Sequence, residues 1–386
     1  MGIGEVPVSA SSARDPRIDF LRGVALLTIF IDHVPGNFLG TLTVRNFGFA
    51  DAAELFVLLA GVSSTLAYGK QFERVGAGRA LRRVAGRCLR IYLYQVGLLL
   101  TTFVVLQSWL PYFGLEPHSI GPLLNGGLRG LKHGLLLHAL PSNLNILPLY
   151  IILLAVFPLI YLGARRHPLA TIGVSAAVWI AANLDHDLNL PNWMDGRGWF
   201  FNPFAWQLLF AIGVVGARFI GREGRALPRR RWAVLLCCLY LGFALFASAP
   251  WTNWGVNWVP LNVITDKTSL GPLRLLDILA LIYVLMTSAT FERVVQRASL
   301  GFVSLCGRHS LEVFAALTLL SLMGRLLFRT FGPTWEMQAL INGVGFACMI
   351  GVARCWRRAG RRRRARSKKC SRLENSAGWG LELAAG

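Results

Sequence analysis

The apolar positions divide the chain into long hydrophobic segments that are separated by short polar loops. Each segment holds about 17 to 22 residues, the length that an α-helix needs to cross the hydrocarbon core of a bilayer. Alternation with period two, which would indicate the strands of a membrane barrel, is absent from the sequence. Because backbone groups in lipid must pair within one segment, we predict an all-α bundle of about ten transmembrane helices. The predicted spans are 19–38, 51–69, 89–110, 146–163, 168–184, 204–220, 232–249, 272–290, 309–328 and 335–354.

The composition agrees with an integral membrane protein. Of the 386 residues, 54% are hydrophobic and 15% are charged, and the mean hydropathy is +0.50, outside the range of soluble domains. No internal repeat and no separate soluble domain interrupts the hydrophobic segments. We therefore expect one transmembrane domain at 17–354, a cytoplasmic segment at 1–16 and a basic, disordered cytoplasmic tail at 355–386.

The net charge of +21 is unevenly distributed along the chain. Arg and Lys concentrate at 70–90, 165–166, 218–231 and 293–308 and in the tail, whereas the intervening loops hold few. Since cytoplasmic loops carry the excess of positive charge, both termini are predicted to be cytoplasmic. The protein itself is predicted to span the cell (inner) membrane. The run "RCWRRAGRRRRARSKK" at 354–369 could bind nucleic acid, but directly after an apolar span we expect it to contact anionic lipid.

The first predicted span, within "RIDFLRGVALLTIFIDHVPGNF", carries ionisable residues towards both ends. Arg22 and His33 are eleven residues apart, close to three helical turns, so they would share one helix face about 16 Å apart. Ionisable groups inside a span are costly and by default mark a functional site. Alternatively, Asp32 and His33 simply end the helix. The second helix begins "DAAELF", so Asp51 or Glu54 could hold the imidazole, as a carboxylate does in a catalytic triad, and make His33 a general base.

A second basic motif precedes the third span. Arg87 and Arg90 are one helical turn apart, with Arg83 before them, and paired guanidinium groups suit phosphate. On its own, the motif is more typical of a positively charged membrane flank. Combined with the stripe from Arg22 to His33, it predicts acyl transfer from coenzyme A. The acyl-CoA would be a co-substrate and not a tightly bound cofactor.

The predicted outward loops combine indole and amide side chains. These suit a carbohydrate acceptor, although an aromatic belt at the membrane interface is the more ordinary explanation. They are Trp193, Trp199, Trp251, Trp254, Trp258, Asn143, Asn145, Asn192, Asn202, Asn253, Asn257 and Asn262. We predict no metal site, because the seven Cys and the His residues, including His118, His133 and His138, show no metal-ligand spacing.

Several segments resemble the OpgC family of osmoregulated periplasmic glucan succinyltransferases. The similarity is most specific in "RIDFLRG", "IDHVPGN" and "NFGFADAAELFVLLAG", and it continues in "NPFAWQLLF", "DKTSLGPLRLLDILAL" and "GRHSLEVFA". The family is related to the acyltransferase-3 membrane enzymes, whose pattern of a basic residue and a His in helix one, with RxxR at helix three, is matched by Arg22, His33, Arg87 and Arg90. The resemblance implies His33 as catalytic base, Arg87 and Arg90 as donor-phosphate ligands, and transfer of an acyl group to an extracytoplasmic sugar.

Two other functions are compatible with the same residues. A proton-coupled carrier of small solutes could use Asp32 and His33 as a relay. Carriers, however, usually show internal repeats, and none is visible in this sequence. An amino-sugar N-acyltransferase would use the same base, and the sequence does not separate the two acceptors.

Overall fold

The computed structural model describes residues 15–74, 76–116, 120–141, 143–223, 227–248 and 265–382, with the side chains at 74, 221–223 and 363–382 left out. The regular structure in these ranges is helical. The α-helices are α1 (Pro16–Asp32), α2 (Ala52–Ser64), α3 (Lys70–Arg74), α4 (Ala77–Tyr112), α5 (Gly121–Asn125), α6 (Gly127–Leu135), α7 (Ile146–Arg166), α8 (Pro168–Leu184), α9 (Pro203–Glu223), α10 (Arg231–Ser248), α11 (Pro272–Thr287), α12 (Ala289–Val295), α13 (Gly301–Arg308), α14 (Ser310–Phe331) and α15 (Trp335–Glu382).

Seven helices in the described part are long and apolar enough to cross a membrane. They are Ala52–Glu73, Ala77–Tyr112, Ile146–Arg166, Pro203–Ile220, Arg231–Ser248, Ser310–Phe331 and Trp335–Arg362. The other three predicted spans correspond to α1, α8 and α11, which are only 16 or 17 residues long. Counting α11 with α12, which meet at a 78° bend, as one broken span would raise the number to eight. An all-helical fold is therefore confirmed, whereas ten spans stay a prediction.

Three predicted boundaries differ from the structure. Helix α1 ends at Asp32 and not near 38, because Pro35 disfavours helix before it and Gly36 adopts a positive φ of 86°. Helix α4 begins at Ala77, twelve residues before the predicted start, so the RxxR motif lies well inside a helix. Helix α15 continues to Glu382, where we expected a disordered tail from 355. Arg, Lys and Ala are good helix formers, and they prolong the apolar helix that precedes them.

Helix α1 packs against α2, α13 and α14 and is largely buried. Its backbone approaches α13 at two glycines, since a Cβ on Gly23 would overlap the carbonyl of Val303 and one on Gly307 would overlap the carbonyl of Asp19. Close backbone approach at small residues is a common basis of helix packing in membranes. Gly61 of α2 makes a similar crossing with α9. These contacts fix α1 and α2, on which most of the predicted site residues lie.

Candidate active site

A cavity of about 330 Å³ surrounds the end of α1. It is formed where α1 ends, where α2 begins, and by one face of α14, and the loop at 265–271 also contributes. We call it the His33 cavity. Its lining consists of Ile29, Asp32, His33, Pro35, Arg45, Asp51, Ala52, Ala53, Asn143, Asn145, Ile146, Phe200, Phe201, Lys267, Phe314, Leu317, Thr318, Ser321 and Arg325.

His33 is the residue directly after α1, and its ring is held by the helix end. The Nδ1 atom lies 2.8 Å from the carbonyl oxygen of Ile29. Because a carbonyl oxygen only accepts hydrogen bonds, Nδ1 must carry the proton, and Nε2 keeps its lone pair. Burial lowers the pKa of His33; the Ile29 contact and Asp51 oppose this shift, while Lys267 and Arg325 strengthen it. The ring is therefore neutral at neutral pH, with Nε2 able to accept a proton.

The predicted partners of His33 are occupied elsewhere. The Asp51 carboxylate caps α2 by accepting from the Ala53 amide at 2.8 Å, and it pairs with Lys267. The Glu54 carboxylate accepts from the Asp51 amide at 2.9 Å and from Nε of Arg274 at 2.7 Å. The orienting contact predicted from Asp51 or Glu54 is thus made by the Ile29 carbonyl instead. His33 continues the last turn of α1, because its backbone amide also donates to the Ile29 carbonyl at 3.1 Å. Its ring folds back onto the same oxygen, which spacing alone does not reveal.

The two acidic residues at the start of α2 form a buried ion-pair cluster. Glu54 is fully buried. Burial alone raises the pKa of Asp51, but Lys267 and Arg274 outweigh it and hold that pKa below its usual range. Asp51 therefore stays ionised beside the cavity. It acts on His33 through space rather than through a hydrogen bond.

Asp32 lies in the cavity wall but faces the following loop. Its Oδ1 accepts from the Thr43 hydroxyl at 2.7 Å and lies 3.4 Å from Nε of Arg45. Because Asp32 and His33 are neighbours on a helix end, their side chains diverge. Through these two contacts, Asp32 stabilises the loop that closes one side of the cavity.

The four arginines predicted to hold the donor line a second cavity, of about 620 Å³, which we call the Arg87 cavity. Arg83, Arg87 and Arg90 recur at intervals of four and three residues, so they share one face of α4. Arg22 reaches the same space from α1, and its guanidinium donates to the hydroxyls of Ser63 at 3.3 Å and Ser310 at 2.5 Å. The other lining residues are Ser64, Ala67, Tyr68, Gly86, Tyr150, Arg308, His309, Leu311 and Glu312.

The two cavities lie at opposite ends of the same helices. On α2, Ala53 lines the His33 cavity and Ser63 lines the Arg87 cavity, about 15 Å apart along the axis. On α14, Phe314 and Leu317 line the former, whereas Ser310 lines the latter. The stripe expected on α1 from Arg22 to His33 therefore leads from one cavity towards the other.

The predicted indole and amide cluster is only partly assembled at the site. Asn143 and Asn145 line the His33 cavity, together with the rings of Phe200 and Phe201. Trp193 stacks on His133 with ring centroids 4.6 Å apart, and Trp199 is buried. Trp251, Trp254, Trp258, Asn253, Asn257, Asn262 and His118 lie outside the described residues. Among the described residues, no group of three His, Cys, Asp or Glu could hold a metal ion.

A family model described as OpgC protein matches residues 14–361. The chain belongs to the OpgC family. No curated protein and no solved structure matches it. Membership of the OpgC family, together with the apolar helices, indicates a multi-pass membrane protein with acyl- or succinyltransferase activity, similar to the glucan succinyltransferases after which the family is named.

Three cations in or directly behind the wall of the His33 cavity were not singled out from the sequence. Lys267 and Arg274 neutralise the acids of α2, and Arg325 lines the cavity from α14. A signal was present for two of them, because Arg274 and Arg325 lie inside apolar segments, where charge is costly. Lys267 lies in a loop, where a lysine is unremarkable, so only the fold reveals its partner.

Proposed function

We propose that this OpgC family member is a membrane-bound O-acyltransferase that moves an acyl group from an acyl-CoA-type donor to a carbohydrate hydroxyl. The observation that carries this proposal is the pairing of the two cavities. One gathers Arg22, Arg83, Arg87 and Arg90, and the other holds His33 with Nε2 able to accept a proton. Donor binding and proton transfer would then be separated along α1.

The charge of the Arg87 cavity favours a polyanionic donor. Five arginines line it, against the single carboxylate of Glu312. Guanidinium groups bind phosphate through paired hydrogen bonds, and coenzyme A carries several phosphate charges. Acetyl-CoA and succinyl-CoA are the donors to test, each acting as a co-substrate that leaves as free coenzyme A.

The chemical step takes place at His33. The imidazole Nε2 removes the proton of the acceptor hydroxyl as its oxygen attacks the thioester carbonyl. The new carbon–oxygen bond forms, the carbon–sulfur bond breaks, and the imidazolium returns the proton to the departing thiolate. The Ile29 carbonyl keeps the ring in the required tautomer, and the Asp51 carboxylate attracts the transient imidazolium charge through space.

The positive-inside pattern supports a direction for the reaction. The Arg87 cavity borders the basic segment at 70–90, which the charge pattern assigns to the cytoplasm, where acyl-CoA is made. The His33 cavity would then face the opposite side of the inner membrane. A periplasmic glucan or another extracytoplasmic carbohydrate is the acceptor that this orientation favours, and Asn143 and Asn145 would bond to its hydroxyls.

The proposal is tested by measuring coenzyme A release from protein in nanodiscs supplied with donor and glucan. Loss of a general base costs about 10²- to 10⁴-fold, so His33→Ala should leave little release. His138→Ala is the matched control, because His138 does not line the His33 cavity. An alkali-labile ester in the product supports O-acylation, and a stable amide would support the N-acyl alternative. Saturable solute uptake without coenzyme A release would support the carrier instead.

A further inference from the structure

Arg325 is a charged residue of the His33 cavity that the mechanism above does not use. It lies on α14 on the same face as Phe314, Thr318 and Ser321, which all line the cavity. Its Nε atom is shielded from solvent and has no hydrogen-bond partner. Among the described residues, no carboxylate pairs with its guanidinium group.

Every other charged group around the cavity has a partner of opposite sign. Lys267 pairs with Asp51, and Arg45 lies beside Asp32. Behind the wall, Arg274 pairs with Glu54. Arg325 is therefore the cation that gives the cavity a surplus positive charge, in the part of the chain that the structure describes.

A guanidinium N–H that is shielded from solvent and makes no hydrogen bond is costly, because burial removes its water without replacing the lost bond. An anionic ligand group in the cavity would offset that cost. Arg325 is also close enough to His33 for its charge to act on the imidazole. Arg325 and His33 line the same cavity, so a substrate with its reacting atoms at His33 can place an anionic group at Arg325.

We propose that Arg325 is a specificity-determining residue, which binds the free carboxylate of a dicarboxylic acyl group while the thioester carbonyl of that group lies at His33. This inference rests on the proposed acyl transfer and selects among its donors. A four-carbon dicarboxylic acyl group such as succinyl is favoured over acetyl or butyryl. The same chemistry would hold a phosphate or carboxylate on the acceptor, so the test must separate the two sources.

The test compares succinyl-CoA with butyryl-CoA, which has the same number of acyl carbons and no free carboxylate. A site built to bond a charged group rejects an analogue that lacks it, so the wild type should prefer succinyl-CoA by about 10²-fold or more in kcat/KM. Arg325→Gln should remove most of that preference while transfer of butyryl is retained. Arg325→Lys should restore part of it.

The matched control is Arg329→Gln. Arg329 lies one turn further along α14, donates to the carbonyl of Glu116 and does not line the cavity. Its replacement should leave the donor preference unchanged. The melting temperature of Arg325→Gln should equal or exceed that of the wild type, because the substitution removes a charge that no carboxylate of the described residues neutralises and whose Nε atom makes no hydrogen bond.

A binding measurement separates failure of this inference from failure of the proposed function. In the His33→Ala background, succinyl-CoA should bind more tightly than butyryl-CoA, and adding Arg325→Gln should abolish the difference. That result supports the role of Arg325 even if coenzyme A release were never observed. Equal loss of both donors in Arg325→Gln would overturn the inference, since it would assign the guanidinium to the reacting oxygen. A preference that follows the charge of the acceptor would overturn it in favour of an acceptor anion.

Discussion

The two cavities are lined by charged residues in opposite ways. Around the Arg87 cavity, arginines gather on one face of α4 and outnumber the single carboxylate of Glu312. Around the His33 cavity, acids and bases are matched in pairs, and Arg325 is the exception among the described residues. Surplus charge suits the capture of a polyanion, whereas paired charge holds groups in fixed positions. Under the proposed function, this difference separates the cavity that binds the donor from the cavity in which the acyl group is transferred.

Two charged residues of the Arg87 cavity are also more exposed to solvent than the ion pair behind the wall of the His33 cavity. Arg83 and Arg90 are exposed, so salt and water screen them. Glu54 is fully buried and its partner Arg274 is nearly so. Substitutions at the His33 cavity should therefore act on stability as well as on rate, whereas those on α4 should act on donor binding alone.

The largest expected effect is that of Arg274→Met. The change would leave the Glu54 carboxylate buried without its 2.7 Å partner, and breaking a buried pair from one side costs about 3–5 kcal/mol. Thermal unfolding in detergent should show a markedly lower melting temperature. Arg329→Met is the control, because Arg329 is exposed. Unchanged stability with lost transfer would instead place Arg274 in the chemical step.

The second effect tests the crossing of α1 and α13, which fixes the position of α1 and so of both Arg22 and His33. Alanine at Gly307 would place a Cβ against the backbone carbonyl of Asp19 on α1. Such overpacking costs about 1–3 kcal/mol and should shift Arg22 and His33 together. Gly301→Ala on the same helix is the control, since its Cβ would meet no atom within 4 Å. If both variants melted alike, the close approach of α1 and α13 would not determine the fold.

A smaller effect is expected from Arg87→Ala. Loss of one phosphate ligand should raise KM for acyl-CoA about tenfold with little change in kcat, because that contact is the same in the ground and transition states. The effect should shrink at high salt. Arg82→Ala is the matched control, as Arg82 is exposed on the same helix but does not line the Arg87 cavity. A fall in kcat alone would contradict donor binding at this position.

Some features of the candidate site were predictable from the sequence, and others were not. The helical spacing of Arg87 and Arg90 was sufficient to place them on one face, because regular helix geometry relates sequence to space directly. The partner of His33 was not predictable in this way, since it depends on how the imidazole ring is turned at the end of α1. Lys267 and Arg274 were missed for a related reason: their pairing with α2 joins residues more than 200 positions apart.

The smallest expected effect concerns the pH dependence of kcat/KM. It depends on the pKa of His33, on which both the paired Lys267 and the unpaired Arg325 act. Burial lowers the pKa of His33 below its ordinary 6.5, and Lys267 and Arg325 lower it further. A general base must be neutral, and lowering the pH protonates it, so kcat/KM should fall as the pH is lowered, with a midpoint below the ordinary 6.5. Charged groups around the ring are Asp32, Arg45, Asp51, Lys267 and Arg325.

Removing one of the positive charges that lower the pKa of His33 should move the low-pH fall in kcat/KM in a defined direction. Arg325→Gln, assayed with butyryl-CoA so that donor preference does not interfere, should shift the midpoint to higher pH, because the imidazolium is no longer repelled by the guanidinium. Arg329→Gln should not move it. A wild-type midpoint above 6.5, or a shift to lower pH in Arg325→Gln, would mean that the titrating group is a residue other than His33. The proton transfer could then no longer be assigned to the cavity with paired charges and distinguished from donor binding in the cavity with surplus positive charge.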